Sequence, residues 1–282
     1  MNTYILALNC KNRPGIVAAI ANLLAEGMGD ITEAQQFDDP QTGQFFMRVE
    51  FSFPGDIAFV DDGMKTIGAK FGMEWKLVDA ARKPKVLIMV SKFDHCLVDL
   101  LYRTQIGELN MDVVAVGSNH PREALNLPID QSIPHYHLPI TKETKPQQEA
   151  QVKSLVQETG AELIVLARYM QILSDDLSAC LSGRCINIHH SFLPGFKGAK
   201  PYHQAFERGV KMIGATSHYV TEDLDEGPII AQDVESVRHS DMPEDLVRKG
   251  RDIERRVLAK AVGLHLDHRV LRNGAKTVVF DS

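Results

Sequence analysis

The pattern of apolar and polar positions divides the chain into two parts of unequal length. Tyr4 to Leu8 reads as a strand, and Asn9 to Gly15 as the turn that starts a helix. Ile16, Ala19, Ile20, Leu23 and Leu24 then recur on one helical face, until Gly27 and Gly29 end it. Ile31 to Phe37 and Phe45 to Phe53 return to the strand pattern on either side of a turn-rich loop, Asp38 to Gly43. Ile57 to Phe71 predicts a second helix and Glu74 to Val78 a last strand. The order β-α-β-β-α-β predicts a ferredoxin-like unit over residues 1–82.

Around Arg82, Lys83 and Pro84 the pattern resets, which places a second domain over residues 83–282. Lys85 to Val90 is apolar enough for a buried parallel strand, followed by a helix from His95 to Gly107 and a strand from Met111 to Val116. A β-α-β unit of this kind predicts a parallel sheet with right-handed crossovers. Pro121 to Pro139 is punctuated by prolines and is expected to cross the surface. Pro146 to Thr159 predicts a helix, Leu163 to Ala167 a central strand, and Ser174 a helix cap. Ile186 to His189 reads as the end of a buried strand. Leu193-Pro194-Gly195 and the Gly198/Pro201 region then force a long loop. Lys211 to Tyr219 and Pro228 to Val237 are the remaining long strands, and Met242 to Leu264 an amphipathic helix. Val270 to Phe280 carries a hairpin signal at Asn273-Gly274. The fold class expected is α/β: a ferredoxin-like βαββαβ unit, then a Rossmann-like, mostly parallel sheet.

Composition narrows the partners. A net charge of −6 gives no general pull toward nucleic acid or anionic membrane. No basic and apolar leader opens the chain, and no run approaches the ~18 apolar residues of a membrane span. The expectation is a cytoplasmic protein. Cys10, Cys96, Cys180 and Cys185 are scattered without zinc-type pairing, which suits small buried hydrophobes in a reducing compartment.

The chemistry concentrates between Cys185 and Gln232. Asn187 and His189, two apart on a strand, share a face. Asp225 stands on the turn Asp225-Glu226-Gly227-Pro228. An amide held against a developing oxyanion is worth roughly 2.7–4 kcal/mol. An imidazole acting as general acid contributes about 10²–10⁴-fold, and a carboxylate beside it favours the charged form of both. No Ser or Cys occupies a nucleophile elbow, so direct acyl transfer is the expected chemistry. Taken singly, each residue has an ordinary reading: a strand-end cap, a structural histidine, an Asx turn. His189, His190, His203 and His218 lack zincin spacing or a paired cysteine, and no metal is expected.

Asn187-Ile188-His189, Ser191-Phe192-Leu193-Pro194 and Asp225-x-Gly227-Pro228-Ile229-Ile230 together resemble the folate-dependent formyltransferase family. The doubled His189-His190, the run Gly198 to Gln204, and His218-Tyr219-Val220-Thr221 resemble its hydrolytic, deformylase branch. The resemblance covers nearly the whole chain. It implies hydrolysis of 10-formyltetrahydrofolate to formate and tetrahydrofolate, feeding one-carbon and purine metabolism, with Asn187, His189 and Asp225 acting on the formyl group and no cofactor beyond the folate substrate. It implies further that Tyr169, Met170, Ile172, Leu173, His218, Val220 and Thr221 adjoin the pterin. The related purine-pathway transferases hold a phosphorylated amine in a Gly-rich loop, where this chain has Ser91-Lys92-Phe93-Asp94-His95. Without that cradle, water is the expected acceptor; an amine-dependent transferase and a non-catalytic, amino-acid-sensing folate binder are the alternatives. Arg248, Arg251, Arg255 and Arg256 form a basic face, most simply a solvated one, with a role toward a polyglutamate tail as the other reading.

The helix start Arg13-Pro14-Gly15-Ile16-Val17 resembles the ACT domain, a small-molecule regulatory module. The resemblance implies an amino-acid effector near Asn12, Gly15, Ile16 and Asp30, and a homo-oligomer. Asn12 and Asp30 depart from that pattern, which expects Asp and Asn respectively. A purely structural or oligomerising domain is the alternative.

Overall fold

A computed structural model describes residues 2–125, 132–190 and 201–281. Ser191 to Pro194 and Gly198 to Lys200, both singled out in the sequence, lie outside the described residues.

The first unit comprises residues 1–82 and 264–282. Its strands and helices run β1 (Asn2–Lys11), α1 (Ile16–Glu26), β2 (Asp30–Asp39), β3 (Gln44–Phe53), α2 (Ala58–Phe71) and β4 (Glu74–Asp79). The sheet order is β2-β3-β1-β4, all antiparallel, which is the split βαβ arrangement. Ile16, Ile20 and Leu24 of α1 share a core with Val60 and Met64 of α2 and with Leu6, Leu8, Val49 and Phe51 of the sheet. Each such side chain contributes about 1.5–3 kcal/mol when fully buried. Gly15 opens α1 at φ 94°, a left-handed posture that glycine adopts without a Cβ clash.

The second unit, residues 83–263, is a seven-stranded sheet with helices between its strands. Its elements are β5 (Lys85–Val90), α3 (His95–Gln105), β6 (Asp112–Ser118), β7 (His135–His137), α4 (Lys145–Thr159), β8 (Leu163–Leu166), α5 (Asp175–Cys180), β9 (Cys185–His189), α6 (Pro201–Glu207), β10 (Met212–Tyr219), β11 (Ile229–Ser236) and α7 (Pro243–Leu266). The order is β11-β10-β9-β8-β5-β6-β7, parallel from β9 to β7 and antiparallel where β10 meets its two neighbours. The chain builds outward from β5 through β6 and β7, then returns to lay β8 on the other side of β5. The carboxyl ends of β5 and β8 are therefore the topological switch point, where open α/β sheets form a crevice. Ser174 caps α5 as its sequence predicts, its hydroxyl accepting from Leu177 N at 3.2 Å.

The structure departs from the sequence reading at three places. The expected long loop past Gly198/Pro201 contains α6, which opens on Pro201, where a missing N–H costs no helical bond. The proline-rich crossing includes β7, a three-residue strand too short to show a period. The second domain does not run to residue 282. Leu264–Ser282 belongs to the first unit, because the hairpin β12 (Val270–Asn273) and β13 (Lys276–Val279) shares a cluster with Phe46 through Leu271, Val278 and Phe280. Arg269 reaches Glu33 at 2.8 Å, and Arg48 donates to the Asp267 carbonyl at 2.9 Å. A two-stranded hairpin is marginal alone, and this packing supplies what it lacks. Among the described residues no helix is long and apolar enough to cross a membrane.

The same segment predicts an acid sensitivity. Burial, reinforced by the Lys76 charge, pushes His265 down to about 4 and His268 down to about 3. Both stay neutral in the folded chain, whereas an unfolded imidazole takes a proton below about 6.5. Stability contributed by the neutral rings is therefore lost as pH falls from 6.5 toward 4. The urea midpoint is expected to be lower at pH 5 than at pH 7, and the difference to shrink in His268→Gln.

Candidate active site

Asn187 and His189 project from one face of β9, and antiparallel pairing sets His218 of β10 directly opposite Asn187. A register shift between Ser217 and His218 re-aims β10 at this point. The Asn187 amide nitrogen lies 3.4 Å from His218 Nε2. His218 Nδ1 donates to the Tyr219 carbonyl at 2.9 Å, which holds the ring with Nε2 toward Asn187 and Asp225.

Asp225 closes the constellation. Its Oδ2 lies 3.2 Å from His189 Nδ1 and its Oδ1 3.7 Å from His218 Nε2. Burial works to raise its carboxyl, but hydrogen bonds and charge from His189 and His218 prevail and hold it far below the usual carboxylate range. Asp225 adopts φ 57°, a left-handed posture that Asp tolerates better than most side chains. Gly227 allows the turn: a Cβ there would stand 1.8 Å from the Tyr219 carbonyl oxygen. With Nδ1 engaged by Asp225, His189 keeps a buried Nε2 that has no hydrogen-bond partner among the described residues. The His190 ring stacks on His189 with centroids 4.9 Å apart. Burial, aided by the Arg168 and His189 charges, pushes His190 down to about 4, so at neutral pH it is an uncharged neighbour.

These groups open into a cleft of about 390 Å³. Asn187, His189 and Asp225 line it together with Tyr169, Met170, Ile172, Leu173, His218, Val220 and Thr221, so the ten residues singled out for catalysis and substrate share one cavity. Leu173 and Val220 lean on the sheet core, while Met170 and Ile172 are 52% and 60% exposed at its rim. Tyr169 is buried and its hydroxyl accepts from Gln148 at 2.8 Å; burial pushes the phenol up to about 12. The segment is anchored where Ser174 donates from backbone N to Glu149 at 2.8 Å.

The four effector candidates lie in the first unit and do not form an equivalent set. Asn12 and Asp30 are exposed and Gly15 is the αL residue before α1, but Ile16 is 2% exposed and packs in the core. Its side chain is therefore a core residue and not a ligand contact.

Sequence reasoning missed Arg168, which lines the cleft beside His189 and His190. It sits just after β8 at φ 62°, and a positive φ on an arginine leaves no mark in an apolar pattern. Its Nε lies 3.4 Å from Glu254 Oε2, whose nearer partner is His95 Nε2 at 2.7 Å; Tyr202 donates to Glu254 Oε1, also at 2.7 Å. His95, Cys96 and Glu254 bring ligand-type atoms within 4.8 Å of one another. That group reads as a hydrogen-bond network: Glu254 is engaged, a guanidinium stands beside it, and burial keeps the Cys96 thiol protonated.

Comparison with known proteins places the chain. A family model described as formyl transferase matches residues 84–262. A formyltetrahydrofolate deformylase of a Corynebacterium species is 51% identical over 98% of this chain and 97% of its own length. The chain belongs to the formyltetrahydrofolate deformylase family. The crystal structure of a deformylase from Burkholderia mallei superposes with a TM-score of 0.94 at 51% identity, covering all of both chains. A glycinamide ribonucleotide transformylase from Symbiobacterium toebii superposes at 0.62 and 27% identity, over 71% of this chain and 95% of its own.

The close backbone approach at Gly227 makes a sharp test. Gly227→Ala must displace either the Asp225 turn or the Tyr219 carbonyl that orients His218. Turnover at the site is expected to fall about a hundredfold, as a misplacement of ~1 Å can produce. The circular dichroism spectrum is expected to be unchanged.

Proposed function

We propose that the protein hydrolyses 10-formyltetrahydrofolate to tetrahydrofolate and formate by direct attack of water on the formyl carbon. The observation behind this reading is the Asp225 carboxylate held between His189 and His218 in the wall of a partly apolar cleft. The rim residues Met170 and Ile172, with Leu173 and Val220 behind them, offer an apolar surface to a flat pterin.

Water oxygen forms the new bond to carbon, and the carbonyl electron pair moves onto oxygen. One Asn187 amide hydrogen and the Nε2–H of protonated His189 receive that oxyanion. Asp225 stabilises the imidazolium and orients the water. A carboxylate held far below its usual range is a poor base, each unit costing about 1.36 kcal/mol. It therefore accepts the water proton only as the tetrahedral intermediate forms. Collapse breaks the carbon–nitrogen bond; that proton goes to the departing amine, and the formic acid ionises to formate and a proton. No covalent enzyme intermediate and no cofactor enters this scheme.

An amine acceptor is disfavoured by the loop after β5. Ser91 is buried, its hydroxyl donating to Asn119 at 2.7 Å and accepting from Met170 N at 2.9 Å. Asp94 is buried and His95 is tied to Glu254, so both side chains are engaged within the fold, and the loop has no glycine with which to cradle a phosphate. In the first unit we read the βαββαβ fold as an ACT-type regulatory module, with an amino-acid effector near Asn12, Gly15 and Asp30 and with assembly into a homo-oligomer. A cytoplasmic location accords with the substrate.

Formate release from 10-formyltetrahydrofolate without any amine tests the reading, and turnover that required glycinamide ribonucleotide would replace it by a transferase. Asp225→Asn and His189→Ala are each expected to lose at least about a hundredfold in kcat while still binding folate. Near-normal turnover in either would refute these catalytic roles.

A further inference from the structure

At the switch point between β5 and β8 the cleft wall includes a cation, Arg168, whose donors are not used up. The Arg168 carbonyl accepts from Ser91 N at 3.3 Å, which locks the residue between the two strand ends. Its side chain is 11% exposed. Two of its nitrogens, Nε and one terminal nitrogen, are buried and make no hydrogen bond among the described residues. Glu254 does not satisfy them, because His95 and Tyr202 draw both its oxygens at 2.7 Å and leave Nε at 3.4 Å without hydrogen-bond geometry. A buried guanidinium with donors to spare is a matched receptor for a planar monoanion. The backbone is also held at φ 62°, a costly posture for arginine. Arg168 shares the cleft wall with Asn187, His189 and His190, the groups that surround the reacting carbon.

We propose that Arg168 forms a small-carboxylate subsite that receives formate as it leaves the reacting centre. This rests on the hydrolytic reading, in which the neutral formyl group becomes an anion within the same cleft. Beyond Glu254, the reacting group offers the charge of Arg168 little to attract before the reaction and a full negative charge after it. A folate glutamate carboxylate offers the same chemistry from a second source, and the test separates the two.

The probe is sodium formate itself, titrated by calorimetry into the full-length protein, with nitrate as a planar substitute and chloride as the ionic-strength control. Arg168→Gly removes the guanidinium and relieves the left-handed backbone, so it is expected to fold; Arg168→Lys keeps the charge without the fork. Formate and nitrate are expected to bind the wild type, about tenfold more weakly in Arg168→Lys and with no measurable heat in Arg168→Gly. The KM for 10-formyltetrahydrofolate is expected to change less than the formate affinity in both, since an attraction that arises only after the reaction contributes little to substrate binding. Equal formate affinity in wild type and a folded Arg168→Gly would overturn the proposal. So would a raised KM with formate affinity unchanged, which would assign Arg168 to the glutamate tail. The titration needs no turnover, so a wild type that released no formate would defeat the hydrolytic reading separately.

Discussion

One carboxylate shared by two imidazoles is the constraint on which the site depends. Asp225 cannot reach His189 and His218 together unless its turn presses against β10, and that contact exists because residue 227 has no side chain. The remaining pieces answer to it. The β9–β10 register sets Asn187 opposite His218, the Tyr219 carbonyl orients the His218 ring, and the neutral His190 ring backs His189 without adding a competing charge. The left-handed backbone of Asp225 is local strain, stabilised because one ion-paired carboxylate answers two rings.

The sheet supplies the location. The strand order reverses between β5 and β8, and the segments leaving their carboxyl ends are bound to each other through Ser91, Arg168 and Met170. The cleft is thereby walled by apolar residues, Met170, Ile172, Leu173 and Val220 among them, and by Arg168, which stands beside the Glu254–His95–Tyr202 network. Buried charge of this kind is costly unless paired. Glu254 is held below its usual range because the His95 hydrogen bond and the Arg168 charge outweigh the burial that would raise it. The chain thus keeps a fixed cation in the cleft wall and a fixed anion beside it.

Much of this was legible in the sequence where a regular period or a long motif existed. Alternation and helical spacing marked out the elements of the first unit, and the motif around Asn187, His189 and Asp225 named three members of the constellation. What stayed hidden was set by tertiary contact. The hairpin at residues 270–279 reads as an appendage of the second domain, yet Leu271 and Phe280 bury themselves with Phe46, more than two hundred residues earlier. Ile16 looked like part of an effector motif because it follows Gly15; the sequence also put it in helical phase with Ile20 and Leu24, and packing against the sheet decides for the core. Arg168 stood in plain view between a strand and the apolar run Tyr169–Leu173, but nothing in residue order announces a left-handed arginine in the cleft wall beside a buried glutamate. His218 was assigned to substrate by motif, and only the β9–β10 register shows it sharing Asp225 with His189.

The central claim is that Asp225 and His189 act as one unit and not as two independent aids. A double-mutant cycle in kcat with Asp225→Asn, His189→Gln and the combined variant, each shown to be folded, measures this directly. The account predicts strong non-additivity, the double variant losing about as much as the worse single one. Losses that simply multiplied would mean the two side chains act separately, and the shared-carboxylate account would be wrong.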